Sequence, residues 1–591
     1  MSNPRVDPVR LALVQSQLDH IARMMGRVME RTARSPIFSE SHDFSCFLTD
    51  ASGDLLSVAD GIPIHTGGGG FAVRKLLELA GADMEPGDVF LSNDPYEAGG
   101  NHLPDWTVMR PVFRDAALVA FTCNRAHQSD IGGGAAGTYN PAATEIFHEG
   151  IRLPPLRIIS RGREHADLWH LLRLNSRTPE LLDGDLRAMV GSTAIGEREL
   201  LRIFADIGID AALASFADVM DYAEARMGAA LAGIPDGEYV AEDVSFSDCF
   251  EDREVRVAVR VRKDATGLTF DFEGTSPQIR GFKNSSLANT VAACAMATLA
   301  FLKPDVPRNE GTLRLLTVKA PLGSLVNARA PAPMTMNTAH CAFEIINAVW
   351  KALAQARPEW AIGGWGKTVH CISSGLQPGT AARFILYHWH AYGAAGATAE
   401  RDGFHTIGGV NTLGGLVLPN VETYERLYPI HVEQYEIRTD AAGAGACRGG
   451  AGIQYRARML TEADYSFRGE GLGTPSGFGV NGGGAGAAGS LTIETYEAAA
   501  TSGSTPSSAP TSVDVPRYGL RHLPPLAIEI LSPGGGGWGD PFRRPPERVL
   551  ADVRDGTVSR AAARALYGVA VNEDLRSIDA AATSRLRADK R

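Results

Sequence analysis

The chain has 591 residues, enough for several domains and a large buried core. Hydrophobic residues make up 44% and charged residues 21%, the proportions of an ordinary globular protein. A formal net charge of −11 leaves no basic excess for phosphates, which excludes a general nucleic-acid binder, and no block of like charge offers an interaction tail. The first residues, MSNPRVDPVRLALVQ, lack a signal-peptide core, and no stretch reaches about 18 uninterrupted apolar residues, so a cytoplasmic protein without a membrane span is expected. The seven cysteines (Cys46, Cys123, Cys249, Cys294, Cys341, Cys371, Cys447) are scattered and never form C-x-x-C, as reduced buried thiols would be. The 65 glycines predict many tight turns and long ordered loops.

Residues 8–33 place Leu11, Val14, Leu18, Ile21, Met25 and Met29 at helical spacing, predicting an amphipathic helix whose methionines serve the core. Two short strands follow around the turn Asp50-Ala51-Ser52-Gly53. Asp43 stands at the mouth of the first, where its carboxylate either reaches a neighbouring site or is a solvated strand end. The glycine quartet Gly67–Gly70 precedes a helix over Phe71–Ala80, whose N-terminus could hold an anion.

The stretch from Leu91 to Gly134 organises the rest. Apolar runs from Trp106 to Phe113 and from Leu118 to Asn124 flank the polar turn Arg114-Asp115-Ala116, an antiparallel hairpin signal. Folding about Asp115 sets residue 105 opposite 125 and residue 103 opposite 127. His102, Asp105 and His127 then meet at the open end of one hairpin. Two imidazoles and a carboxylate are a ligand set for a divalent metal that keeps open positions, although a His-x-x-Asp alone usually marks a hydrogen-bonded loop. The flanking glycines Gly99-Gly100 and Gly132-Gly133-Gly134 allow close backbone approach. His148, beside Ile146 and Phe147, is expected to support the site at most indirectly.

Residues 166–233 read as helices covering one side of the metal-bearing sheet. Near 235 the period changes: VRVAVRVRK alternates strictly and turns into LTFDFEG. Val291–Leu302 reads as a buried helix, TLRLLTVKAP and SLVNA as strands, and Ala342–Ala356 as another helix. The remainder is β-rich and glycine-rich, with a Ser/Thr/Ala-rich insertion at 497–513 read as a mobile surface loop. The expected class is multidomain α+β: 1–232 bearing the metal site, 233–330 a β-rich module, 331–545 a β-rich glycine-rich domain, and 546–591 a helical tail.

Several motifs mislead. Gly363-Gly364-Trp365-Gly366-Lys367-Thr368 ends like a P-loop, but Ala361 stands where its first glycine belongs. Gly477-Phe478-Gly479-Val480-Asn481-Gly482 fits G-x-G-x-x-G without a helix after it. His388-Trp389-His390 has no close carboxylate and reads as an aromatic core strand. No G-x-S-x-G nucleophile elbow sits at a strand-to-helix turn.

The segments DFSCFLTDASGDLL from Asp43, NDPYEAGGNHLPDWTVMRPVF from Asn93, AHQSDIGGG from Ala126, EGIRLPP from Glu149, FDFEGTSPQIRGFKN from Phe270, DAAGAGACRGGAG from Asp440 and PGGGGWGDP from Pro533 resemble the hydantoinase B/oxoprolinase (HyuB-like) family, nearly end to end. The resemblance implies a metal-bearing subunit that works with a HyuA-like, actin-fold ATPase subunit in a hetero-oligomer such as α2β2. The partner spends ATP to phosphorylate the substrate's carbonyl oxygen, and this subunit completes the hydrolysis of a cyclic amide (hydantoin, oxoproline or lactam). The alternative is carboxylation of a ketone such as acetone or acetophenone. The family's metal ligands fall on His102, Asp105 and His127, with Asp43 at a carboxylate that binds the same metal or a second one. Manganese, zinc and iron all suit this set. Asp130 is then a candidate to orient water or accept a proton, with capping of the Gly132 turn as its alternative, His127 stands by the reaction itself, and Asp94 is expected to buttress a ligating imidazole.

Overall fold

The computed structural model describes residues 7–58, 61–66, 70–495 and 511–588. It divides into two compact units: Met1–Val244, Glu254–Ala352 and Gly415–Val417 form the first, and Ser245–Arg253, Leu353–Gly414 and Leu418–Arg591 the second. The expected boundaries at 233 and 331 are therefore not breaks. The alternating β-module belongs to the same unit as the hairpin, and Asp243 at its first strand takes hydrogen bonds from Asn347 and Lys351 of the helix Ala342–Ala356. Among the described residues no helix is long and apolar enough to cross a membrane.

The first unit is built on a seven-stranded antiparallel sheet of β1 (Phe44–Asp50), β2 (Leu55–Val58), β3 (Val89–Ser92), β4 (Asp105–Arg114), β5 (Ala117–His127), β6 (Leu156–Ser160) and β7 (Arg163–Glu164). Their order is β2-β1-β5-β4-β3-β6-β7, which puts the hairpin β4–β5 at the centre. Both faces of the hairpin are buried. Helices Pro8–Thr32 and Pro179–Ile207 cover one face, and the second of them is pinned to β5 by side chains: Thr122 Oγ1 donates to Thr193 O at 2.9 Å and Asn124 Nδ2 to Met189 O at 2.8 Å. Helix Phe71–Ala80 fills the other face through Ala72, Val73 and Leu76, packed with Phe47, Phe90, Met109 and Phe121. Asp7 caps the first helix by accepting from Val9 N, and Met25 and Met29 are fully buried along its core stripe.

A second sheet of this unit runs β11-β10-β9-β8, with β8 (Gly237–Ser245), β9 (Val255–Asp264), β10 (Gly267–Asp271) and β11 (Leu316–Lys319). The strict alternation of β9 appears as alternating burial. The expected buried helix spans Leu287–Leu302, capped by Ser286. The expected strand SLVNA forms only isolated bridges of Ser324 with Pro277 and Asn327.

The second unit holds two antiparallel sheets and an unusual glycine lattice. The four-stranded sheet runs through residues 383–387, 369–376, 463–469 and 518–523, and the five-stranded one through 430–437, 453–459, 526–531, 490–495 and 511–513. Of the expected insertion, Thr511–Val513 is a strand and 497–510 lies outside the described residues. Between the sheets' segments, extended glycine-rich stretches outside any β-ladder bond backbone to backbone. Gly363 N donates to Ala397 O, Ala397 N to Gly536 O and Gly536 N to Gly364 O, each at 2.8 Å, while Gly535 N donates to Gly450 O at 3.0 Å. The chains lie so close that a Cβ on Gly535 would stand 1.9 Å from Ala395 O, and one on Gly396 would stand 1.8 Å from Gly363 O.

Buried charge closes the C-terminal part. The Arg544 guanidinium, 1% exposed, reaches Asp402 at 2.7 and 2.8 Å and Asp552 at 2.9 Å, and Arg448 meets Asp552 at 2.8 Å. Removing one member strands the others. Arg544→Ala is therefore expected to cost about 3–5 kcal/mol, read as a lowered denaturant midpoint with an unchanged slope.

Candidate metal centre

The hairpin does bring the three expected residues together, in a register different from the expected one. Asp105 lies directly opposite His127. The turn is tighter than a fold about Asp115, with Arg114 facing Ala117, and a bulge between Val112 and Phe113 shifts the pairing once more. Asp115 adopts a positive φ of 56°, the left-handed conformation that aspartate tolerates in two-residue hairpin turns. These two one-residue shifts move Asp105 from facing Arg125 to facing His127.

His102 Nε2 stands 2.8 Å from Asp105 Oδ1, and His127 Nδ1 stands 3.2 Å from the same oxygen. The two rings are 5.2 Å apart between centroids. All three residues are buried, and among the described residues they form the one group of such side chains whose donor atoms lie within 4.8 Å of one another. Two of those atoms are orphaned: His102 Nε2, despite its short approach to Asp105, and Asp105 Oδ2 make no hydrogen bond of acceptable geometry. Unsatisfied donor atoms converging without solvent are costly in a protein alone and are what a cation relieves. The residues present fit a divalent metal.

Asp43 joins them from the position just before β1. Phe44 pairs with Ala126, and His127 N donates to Asp43 O at 3.1 Å, which seats the aspartate beside the hairpin's end. Its side chain is buried, so the solvated alternative does not hold. Burial pushes the Asp43 carboxyl up to about 6 against the pull of His127. Asp105 is held well below the usual carboxylate range: burial opposes this, and His102 and His65 override it. For His102 burial acts downward, yet Asp105 and the Thr335 carbonyl leave it raised, whereas burial leaves His127 lowered.

Two further residues carry the site without having been legible. Glu149 is 1% exposed and accepts from Met334 N at 2.9 Å and Thr335 N at 2.7 Å. Thr335 O in turn receives His102 Nδ1 at 2.5 Å, which leaves Nε2 aimed at Asp105. His65 brings Nε2 to 3.4 Å from Asp105 Oδ2 and 3.6 Å from Asp43 Oδ1. Burial pushes this imidazole down to about 4, so it is neutral near pH 7. Below it, the buried Arg125 guanidinium donates to His65 O at 2.7 Å, Asn101 Oδ1 at 3.0 Å and Thr107 Oγ1 at 2.8 Å.

Other expected residues fall elsewhere. Asp94 does not buttress an imidazole: it accepts from Tyr96 N and Glu97 N, both at 2.8 Å, and pairs with Arg152 at 2.6 Å. Asp130 accepts from Gly132 N at 3.2 Å and Gly137 N at 3.3 Å and is clasped by Arg177 through its amide at 2.8 Å and its guanidinium at 3.0 Å. His148 is exposed, its Nδ1 turned to Thr144 N. His388 and His390 are aromatic-core residues, on a 3-10 turn rather than a strand: His388 bonds Ser373 and Tyr455, and His390 stacks on Tyr455. Burial pushes the Cys46 thiol up to about 12 and the Cys123 thiol higher, so neither is an activated nucleophile. The Gly67–Gly69 part of the anion-site reading lies outside the described residues.

Residues 7–541 match the sequence pattern of the Hydantoinase B/oxoprolinase family. The chain belongs to that family. The caprolactamase subunit beta of Pseudomonas jessenii is 32% identical over 591 residues, 99% of each chain. A crystal structure of ATP-dependent caprolactamase from the same species superposes with a TM-score of 0.88 at 31% identity, covering 99% of this chain and 100% of that one. A nucleotide-free structure of acetone carboxylase gives the same TM-score of 0.88 at 20% identity, over 99% of this chain and 83% of that one, a likeness of fold alone. Hydantoinase B family membership thus covers both the hairpin and the glycine lattice.

Proposed function

We propose that this chain is the metal-bearing subunit of an ATP-dependent cyclic amide hydrolase. It opens a hydantoin, oxoproline or lactam ring whose carbonyl oxygen has been phosphorylated by a partner actin-like ATPase subunit. The observation that carries the reading is the buried donor set of His102, Asp105 and His127, in which His102 Nε2 and Asp105 Oδ2 make no hydrogen bond, with Asp43 beside it, in a chain similar end to end to a caprolactamase subunit. A divalent cation held there (manganese, zinc or iron) supplies Lewis acidity, which lowers the pKa of water and polarises a substrate oxygen.

The chain's own residues set the geometry. Glu149 fixes the Met334–Thr335 amides, Thr335 O fixes the proton on His102 Nδ1, and Asp105 orients His102 and His127 through one oxygen. Tyr139 stacks on His127 at 5.6 Å and Thr138 Oγ1 lies 3.3 Å from its Nε2, so this imidazole is also placed to pass a proton at the edge of the site. The clasp of Arg177 and two loop amides on Asp130 supports a role in holding the 130–137 loop over that of a proton acceptor.

The test uses the chain co-purified with its cognate ATPase subunit, given ATP and a panel of lactams, hydantoins and 5-oxoproline, with and without a chelator. Ring opening that needs both ATP and the cation is the expected result. Ketone consumption that requires bicarbonate would move the chain to the carboxylases, and ring opening indifferent to chelation would overturn the metal reading.

A further inference from the structure

We propose that His65 is a positioning residue that holds the two carboxylates of the metal centre, Asp105 and Asp43, in register with each other. This deepens the reading of the centre as a cation site and rests on it. A single nitrogen, His65 Nε2, reaches both acids, at 3.4 Å from Asp105 Oδ2 and 3.6 Å from Asp43 Oδ1. Asp105 Oδ1 is engaged by His102 and His127, whereas Oδ2 has no hydrogen bond, so the imidazole stands at the one oxygen of Asp105 that is otherwise unattended.

Two acceptor oxygens facing one ring nitrogen select the tautomer with its proton on that nitrogen. His65 then donates towards the outer oxygens of both acids, which leaves their remaining lone pairs for the cation. Fixing a ligating carboxylate from outside in this way sets its orientation and its basicity. The ring itself is immobilised. Its backbone carbonyl takes the Arg125 guanidinium at 2.7 Å, and Ser45 Oγ, tied to Ile62 N and O at 3.0 Å each, lies 3.5 Å from Nδ1.

The experiment compares wild type with His65→Ala and His65→Gln in the full chain, each stripped of metal and titrated with Co²⁺ while the visible absorption bands are followed. His65→Ala is expected to weaken cation binding about 10–100-fold, as loss of an outer partner of a metal ligand does, and to shift the bands. His65→Gln, whose amide can still donate, is expected to recover most of both. Equal binding and identical bands in His65→Ala would overturn the inference while leaving the cation site standing. Loss in His65→Ala without recovery in His65→Gln would overturn it too, making the imidazole nitrogen a direct ligand. Should wild type bind no Co²⁺, the underlying reading fails first. If His65→Ala does not fold, Ser45→Ala, which removes the hydroxyl that touches both the ring and the Ile62 backbone, is expected to give a smaller shift in the same direction, and no shift overturns the proposal.

Discussion

Asp105→Ala is expected to leave a folded chain that retains almost no divalent cation and opens rings about 10³-fold more slowly. Asp105 is the hub of the centre: one oxygen meets His102 and His127 and the other faces His65. Without it, three imidazoles converge with no anionic ligand among them except Asp43, and the cation loses both a bond and the charge that offsets its own. Metal-ion stabilisation of a reacting oxygen is worth several kcal/mol. At about 1.36 kcal/mol for each factor of ten, a loss of ~4 kcal/mol gives the stated rate. On the proposed division of labour, the partner's ATP turnover is expected to survive in part, because phosphorylation would precede the step proposed for this chain. Elemental analysis of the purified variant and single-turnover product release measure the two effects. Wild-type rates from a variant shown to be metal-free would end the argument.

The second large effect is structural. Gly535→Ala is expected to destabilise the second unit by more than ~4 kcal/mol, seen as loss of soluble protein or a collapsed melting temperature. The added methyl would lie 1.9 Å from Ala395 O, well inside any contact distance, and the obstacle is main chain bonded to its own neighbours. No flexible side-chain end can swing aside, which puts the substitution in the rare severe class. Gly191→Ala is the control. This glycine sits within the helix Pro179–Ile207, and nothing outside that helix lies within 4 Å of the new Cβ. It is expected to gain up to about 1 kcal/mol from helix propensity.

The centre was legible where it depended on short-range pattern. Two apolar runs around a polar turn announced the hairpin, and a histidine and an aspartate before it with a histidine after it announced which side chains meet at its open end. The register was not legible, because a bulge at Val112–Phe113 leaves no mark in apolar composition, and the error happened to preserve which ends meet. His65 sits on a four-residue helical turn with no periodic partner, and its place at the centre depends on Arg125, sixty residues away in sequence. Glu149 acts on His102 through the backbone of Met334 and Thr335, a link that spacing cannot encode. Asp94, closer in sequence to His102, was the natural choice for that task and is engaged with Arg152 instead. The glycine content predicted loops, whereas much of it makes a lattice, since a lone sequence does not say which glycines face one another.

That lattice constrains how the second unit can vary. In an ordinary core, a side chain that grows at one position can be offset by one that shrinks nearby, so volume is shared among neighbours and sequences drift by paired exchange. Where Gly363, Gly396, Gly449, Gly535 and Gly536 stack carbonyl against Cα, no neighbour has anything left to give up. Each such position is settled on its own terms, and this wall of the protein can change its sequence only by changing its path.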